Sequence, residues 1–311
     1  MADVRTTAFT RVIKDQLFAG NEFLLKSVSH DAFVNNKTVE IPISGTLPDI
    51  VEDRTLYPIA VQERTDTRQT YDLIEFSLGA IKLSEKEKKE LSYDKASSIL
   101  RQHMLSLKNS IALRGLYNWG GAGLIADSGQ IVLTTGTAAA NITPPGGTAN
   151  RNGVDLADMA AAALKLDEDN VPSDGRYMTM PSRMYWNFVE ANKAELLNLD
   201  YNKSLSNGDI SDGVVSKVYG FKIIPRSYTL VYADAATPTI KAVGAATATT
   251  DHWAAVGWQQ DEVARALGST KVYRNVDDAT YQGDLYSATQ RFNNTQMRTD
   301  GTGIVTIVQD S

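Results

Sequence analysis

The chain has 311 residues, 42% of them hydrophobic and 22% charged, which is the composition of a globular protein with one large or two modest cores and excludes disordered and collagen-like classes. Charged residues interrupt the first 30 positions, and no apolar run reaches the roughly 18 residues of a membrane span, so we expect a protein made and kept in the cytosol. The absence of cysteine excludes disulfides and thiolate chemistry, and a net charge of −6 argues against tight, sequence-independent binding of a phosphate backbone.

Residues 1–37 carry apolar side chains at helical spacing, in two groups separated at Gly20. The pattern predicts an amphipathic N-terminal arm, and two short helices on the surface of a core are the alternative interpretation. The first group includes Phe9, Ile13, Leu17 and Phe18.

From residue 38 to residue 83 the apolar residues alternate with polar ones, which is the period of a β-strand. Two arms of about 20 residues would each reach roughly 60 Å, so the pattern predicts an extended hairpin. Its distal part, residues 49–68, is dense in charge of both signs. A solvated loop would explain the charge, but so long a hairpin with little apolar area favours a docking surface covered by a partner. The candidate contact residues are Asp49, Glu52, Asp53, Arg54, Glu63, Arg64, Asp66 and Arg68, whose arginines a neighbour's carboxylates could satisfy.

The segment 84–119 has the strongest helical pattern. Ser84 with Glu87 matches a capping box and Ser92 is a second possible N-cap, so we expect a continuous helix over about 92–118. Basic residues outnumber acidic ones here, which we interpret as a solvated face. The predicted buried stripe comprises Ala96, Ile99, Leu100, His103, Met104, Leu107, Ile111 and Leu113.

Residues 120–153 are poor in charge and rich in Gly, Ala, Thr and Pro, which is typical of a loop between domains. Residues 154–166 then predict a helix of small residues suited to lie on a sheet. Asp155 at its start complements the helix dipole.

A turn signal leads into a predicted strand at 176–180, and Pro181 suits the first turn of a helix over 182–192. Two β-rich runs then meet at Gly220. A second Ala/Thr-rich stretch, 233–250, separates these strands from the terminal block.

Six of these segments, in order, resemble the major capsid proteins of tailed bacteriophages. The first is similar to the start of the long spine helix, the next two to a strand-Pro-helix unit followed by a glycine-aromatic strand, and the last three to the closing strands. They are residues 92–104, 170–181, 213–227, 254–258, 281–284 and 298–305.

This resemblance implies the Hong Kong 97 capsid fold, an α+β fold built from an N-terminal arm, an extended E-loop, a peripheral (P) domain and an axial (A) domain. The corresponding segments are 1–37 for the arm, 38–83 for the E-loop hairpin, 84–152 for the P domain with the spine helix and the following loop, 153–250 for the A domain, and 251–311 for strands that return to the P domain.

The function implied by the resemblance is structural, with no enzyme activity, cofactor or metal. Copies of the chain would self-assemble as hexamers and pentamers into an icosahedral virion shell, with the arm residues named above and the E-loop contacting neighbouring subunits. The implied partners are a separate scaffolding protein, a portal protein and packaged double-stranded DNA bound without sequence specificity, with no membrane. Assembly would take place in the cytoplasm of a host bacterium.

Several fragments match catalytic or ligand-binding motifs but lack their context. The glycine run at Gly121 follows a helix instead of a strand, and no acidic residue follows at the distance that a ribose requires. Ser92 and Lys95 match a Ser-x-x-Lys motif without its accompanying strand, so Ser92 is better explained as an N-cap. The acidic run 167–169 lacks the spacing of a calcium loop and indicates a solvated helix end.

His30, His103 and His252 are too far apart in sequence to form a helical metal pair, and we expect His103 to be a hydrogen-bonded histidine of the core or of a subunit interface. Two other functions stay open. An encapsulin-like nanocompartment would enclose a cargo enzyme instead of DNA, and a cytosolic α/β enzyme with a dimerisation hairpin would be a monomer or dimer.

Overall fold

The computed structural model describes residues 21–43, 52–53, 55, 66–84, 95–120, 130–193, 196, 217–235, 238–298 and 300–311. These residues form a mixed α+β fold. Its helices are α1 (Lys95–Gly120), α2 (Leu156–Glu168) and α3 (Ser182–Ala191). Its strands are β1 (Val28–Ser29), β2 (Val34–Asn35), β3 (Thr38–Ile43), β4 (Thr67–Asp72), β5 (Ile74–Ser77), β6 (Ile81–Ser84), β7 (Ile131–Leu133), β8 (Ala138–Ala139), β9 (Arg151–Asn152), β10 (Arg176–Pro181), β11 (Lys217–Val218), β12 (Phe221–Arg226), β13 (Leu230–Ala233), β14 (Thr239–Ile240), β15 (His252–Gln259), β16 (Val263–Asp278), β17 (Gly283–Gln296) and β18 (Ile304–Val308).

Strand β15 lies at the centre of the largest sheet, which we call the central sheet. One edge of β15 pairs with β18, and the other edge pairs with β13 and then with β10, all antiparallel. The sheet extends through β12, parallel to β10, and through β7, parallel to β18. Every residue of β15 is buried, because both faces of the sheet are covered by helices. A strand covered on both faces has no polar side to alternate with its apolar one.

Helices α2 and α3 cover one face of the central sheet, and both begin as their sequences predict. Asp155 is the N-cap of α2 and forms a reciprocal capping box with Asp158. Pro181 ends β10 with a φ of −58° and is the N-cap of α3, so the strand-proline-helix unit predicted from the sequence is confirmed. The cluster beneath these helices includes Met178 and Phe188.

Strands β16 and β17 form a long antiparallel hairpin at the core of a second sheet, the hairpin sheet. Strand β1 pairs in parallel with β16, and β5 and β6 pair with β17. The single returning strand expected up to residue 83 is therefore divided. Strand β4 stays with β3, whereas the strands after Leu73 join the hairpin sheet.

Leu73 is the point of division because its side chain is buried against Val39, Ile41 and β16. Gly268 makes room for it, since a Cβ there would lie 2.7 Å from Leu73 Cδ1. Period-two alternation continues through both strands and carries no information about which strand each one pairs with. The block 251–311 is divided in the same way, with β15 and β18 in the central sheet and β16 and β17 in the hairpin sheet.

The C-terminal end of α1 joins the two sheets through its carbonyl oxygens. From the hairpin sheet, Asn294 Nδ2 donates to Gly115 O and Gln296 Nε2 to Trp119 O, each at 2.8 Å. From the central sheet, Tyr232 Oη donates to Gly120 O at 2.7 Å. Because the last four carbonyls of a helix have no partner within the helix, the bonds to Trp119 O and Gly120 O satisfy groups that the helix leaves open. Together with the bond to Gly115 O, they attach α1 to both sheets. Burial raises the pKa of Tyr232, which keeps its hydroxyl a donor.

The predicted stripe of α1 is confirmed where its side chains are described: Met104, Leu107 and Ile111 are buried, and His103 and Leu113 are half-buried. Burial lowers the pKa of His103. The side chains of Ala96, Ile99 and Leu100, together with Ser92 and Glu87, lie outside the described residues, and Ser84 ends β6.

The helical spacing expected over residues 21–37 gives short 3-10 turns and strands instead. The first turn, Glu22–Leu25, places Phe23 and Leu24 in the core beside α1. After this turn, Ser27 Oγ donates to Leu24 O at 2.6 Å, a local side-chain bond of the kind that competes with helical hydrogen bonding.

The segment 120–153 was expected to be a loop, but it contains β7 in the central sheet and the short pair β8–β9. Strand β7 has only three residues and its partner β18 lies at the other end of the chain, so local pattern did not reveal it. Among the helices of the described residues, none combines the length and the apolar character required to cross a bilayer.

Candidate functional site

The base of the predicted docking hairpin is a regular antiparallel ladder between β3 and β4, in register from Thr38 opposite Asp72 to Ile43 opposite Thr67. Val39 and Ile41 turn inward and pack with Leu73 and Ala266. The residues that alternate with these two point outward. The hairpin base is therefore held on the subunit by its one apolar face.

The outward face of the hairpin base is charged and paired within the chain. Lys37 Nζ lies 3.0 Å from Asp72 Oδ2, and Arg68 Nη1 lies 2.9 Å from Glu40 Oε2, with all four side chains more than half exposed. Hydrogen bonds from Lys37 and Thr38 hold the pKa of Asp72 below its usual value. Exposed pairs of this kind contribute little to folding.

Several bonds tie the hairpin base to β17. Asn293 Nδ2 donates to Asp72 O at 2.6 Å, and Gln69 Nε2 donates to Gln296 O at 3.4 Å. Behind the base, His30 Nδ1 lies 3.3 Å from Tyr71 Oη. Burial lowers the pKa of His30, with Asp31 opposing that effect, and burial raises the pKa of Tyr71. His30 is therefore neutral at pH 7.

Four of the predicted contact residues lie in the described part of the chain, and all four are exposed: Glu52, Asp53, Asp66 and Arg68. Asp53 has a φ of +45° in a turn. Arg68 differs from expectation, because a carboxylate of its own chain, Glu40, already pairs with it. The other predicted contact residues lie outside the described residues: Asp49, Arg54, Glu63 and Arg64 of the hairpin, and Phe9, Ile13, Leu17 and Phe18 of the arm.

A second surface, not predicted from the sequence, lies on β12 and its neighbours. Two lysines lie over the Tyr177 ring, with Lys26 Nζ 5.6 Å and Lys222 Nζ 5.5 Å from the ring centre. The guanidinium carbon of Arg226 lies 4.7 Å from the centre of the Phe23 ring. Lys217 is directly opposite Lys222. We call Lys26, Lys217, Lys222 and Arg226 the β12 basic cluster. No sequence pattern links these positions, because 200 residues separate Lys26 from Arg226.

Within the described ranges, no three His, Cys, Asp or Glu side chains are grouped to hold a metal ion. The acidic run at the C-terminal end of α2 has structural partners instead. Asp167 Oδ1 lies 2.6 Å from Nη2 of the buried Arg176, and Asp169 Oδ2 accepts from Gln130 Nε2 at 2.8 Å. His252 Nε2 lies 3.3 Å from Asp234 Oδ1.

No protein-family model and no curated protein matches this sequence. Solved structures do match it over most of its length. The capsid structure of cyanophage P-SCSP1u has 16% identity and a TM-score of 0.62, covering 91% of this chain and 86% of that chain. The cyanophage Pam1 capsid has 10% identity and a TM-score of 0.59, covering 95% and 92%. The mature capsid of bacteriophage PhiM1 has 9% identity and a TM-score of 0.59, covering 91% and 85%.

These similarities, together with the two sheets joined through α1, define the class of fold. The chain has the fold of phage capsid proteins, as the sequence resemblance predicted. Because these three identities are at most 16%, the similarity lies in the fold.

Proposed function

We propose that this chain is the major capsid protein of a tailed bacteriophage and assembles into an icosahedral shell around packaged double-stranded DNA. The observation that carries the proposal is the coverage of the comparison. The Pam1 capsid similarity extends over 95% of the chain and 92% of that capsid chain. A match over this share of the given sequence supports a structural role, so we infer a structural protein of the virion, without enzyme activity.

In this proposal the parts of the chain have the roles expected from the resemblance. Residues 1–37 are the arm, 38–83 the E-loop, 84–152 the P domain, 153–250 the A domain, and 251–311 the strands that return to the P domain. Two strands of that last segment, β15 and β18, pair in the same sheet as β10, β12 and β13 of the A domain. Hexamers and pentamers form around the A domains. The arm and the E-loop contact neighbouring subunits, so that many weak contacts repeated by symmetry close the shell.

The exposed hairpin base supports this arrangement. Its inner face is anchored by Leu73 and Ala266, while its outer face carries charged side chains that add little to the fold of a single subunit. A scaffolding protein and a portal protein are the further partners of the proposal, and assembly would occur in the cytoplasm of the host.

The proposal is tested by expressing the chain alone and with a co-expressed scaffolding protein, then measuring sedimentation velocity and negative-stain images. We expect capsomers or particles of megadalton mass. A stable monomer under every salt and scaffold condition contradicts the proposal. Particles that contain a protein cargo and exclude DNA would identify a nanocompartment instead.

A further inference from the structure

We propose that the β12 basic cluster is a docking site for carboxylate side chains of a second copy of this chain. This inference rests on the proposed function, because it assigns a partner to one surface of the shell subunit. Its strands β11 and β12 lie at the edge of the central sheet, whereas the β3–β4 hairpin base belongs to a different sheet.

The strand register shows that the side chains of the cluster lie on one face of the sheet. Lys217 and Lys222 are directly opposite across β11 and β12, whose two-residue turn at Tyr219 and Gly220 has positive φ at both positions. Side chains directly opposite in a ladder lie on the same face, and Arg226 follows Lys222 by an even number of residues on the same strand. Lys26 joins this face over Tyr177.

This arrangement is unfavourable for an isolated subunit. Like charges directly opposite on neighbouring strands destabilise a sheet. Among the residues that the structure describes, no carboxylate lies within 4.0 Å of any cation of the cluster. The contacts with the Tyr177 and Phe23 rings offset only part of the repulsion.

Arg226 is the centre of the proposed site because its charge is already partly desolvated. Its Nη1 is buried and has no hydrogen-bond partner, and burial lowers the pKa of its guanidinium to about 10, so it stays cationic at neutral pH. A buried donor without a partner is costly. Because Nη1 itself has no accessible surface, an incoming carboxylate would contact the half-buried guanidinium from its exposed side and neutralise the charge there.

A second copy fits this site better than a nucleic acid does. The chain has a net charge of −6, so it supplies surplus carboxylates but repels a polyanion over most of its surface. The ring between Lys26 and Lys222 is also unsuited to base stacking, since Tyr177 is only 8% exposed. The recessed guanidinium therefore suits a single carboxylate side chain.

The test compares Lys222→Glu, Arg226→Gln and the control Lys271→Glu with the wild-type chain. Lys222 and Lys271 are both exposed strand lysines, so their reversals change net charge equally, and Arg226→Gln retains a polar side chain that tests the site without adding a charge. Melting temperatures and circular dichroism verify the fold. Sedimentation then measures the protein concentration at which particles form.

We expect Lys222→Glu and Arg226→Gln to raise this concentration by about fivefold or more, with the control close to wild type. Normal particle formation by the two cluster variants, or an equal shift in Lys271→Glu, overturns the inference and leaves the proposed function intact. Wild-type chain that never assembles contradicts the proposed function itself. Anisotropy with a short DNA duplex adds a further arm: duplex binding by wild type that Lys222→Glu removes would overturn the second-copy assignment.

Discussion

The C-terminal end of α1 and the β3–β4 hairpin base are held in opposite ways. At the end of α1, buried amides and a hydroxyl from two sheets satisfy carbonyl oxygens such as that of Gly120. At the hairpin base, by contrast, ion pairs such as that between Arg68 and Glu40 are exposed to solvent. Buried polar contacts are costly to break, whereas exposed pairs contribute about 0 to 1 kcal/mol. The difference predicts that changes at the α1 junction affect the stability of the subunit more than changes at the exposed pairs of the hairpin base.

The largest effect on stability is expected for Leu107→Asp. Leu107 is 3% exposed in the core beneath α1, so a carboxylate there is desolvated without a partner and should cost about 4 kcal/mol or more. The matched control is Leu105→Asp on the same helix, where the leucine is 60% exposed. In urea unfolding, the stability of Leu105→Asp should be close to that of wild type. A Leu107→Asp variant that unfolds cooperatively with wild-type stability would mean that Leu107 does not lie on the buried face of the helix.

Tyr232→Phe should have the next largest effect. It removes the hydroxyl that donates to Gly120 O, while Thr306 Oγ1 still approaches that oxygen at 3.3 Å. We expect a loss of about 1 to 2 kcal/mol in the free energy of unfolding. Tyr273→Phe, at an exposed tyrosine of β16, is the control and should change nothing. Equal effects of the two variants would mean that the α1 junction is not stabilised through this bond.

A smaller, pH-dependent loss of stability is expected from His30. Because burial lowers its pKa below 6.5, the unfolded chain binds the proton more tightly, so stability is present above pH 6.5 and falls as the pH drops through the folded-state pKa. Asp31 opposes this lowering of the His30 pKa, and Arg265 in turn interacts with Asp31. His30→Gln should flatten the fall of melting temperature between pH 7 and pH 5. A profile identical to that of wild type would assign the pH dependence to other groups, such as His103.

The smallest effect on folding is expected from the distal hairpin. Replacing residues 49–66 by a short Gly-Ser link keeps the β3–β4 ladder and the pair between Arg68 and Glu40. Circular dichroism and melting should therefore stay close to wild type, while particle formation should be lost. If the variant with the Gly-Ser link still closes into normal shells, the distal hairpin is not required for assembly. If it no longer folds, the hairpin contributes to folding as the α1 junction does.

The elements that could be predicted from the sequence are those with local signals. The stripe of Met104, Leu107 and Ile111 repeats at helical spacing, and Pro181 lies between a strand and a helix, so α1, β10 and α3 were expected near their observed positions. The exposure of Glu52, Asp53 and Asp66 also followed from local charge.

The candidate sites were predictable only in part, because pairing and charge neutralisation depend on residues that are distant in sequence. Arg68 was expected to need a neighbour, but the register of β3 and β4 supplies Glu40. The β12 basic cluster was not expected at all, since Lys26 reaches Tyr177 only through the packing of the first described turn beside α1.

The sequence by itself determined the periodicity, the caps and the turns of this protein, because these depend on contacts between residues a few positions apart. Six of its segments also resemble, in the same order, segments of phage capsid proteins, and this resemblance was enough to predict the fold. Only the tertiary structure decided that the chain changes sheets at Leu73 and that β7 pairs with β18. Strand alternation repeats every two residues whatever the partner, so the choice of partner is made by long-range packing, such as the fit of Leu73 over Gly268.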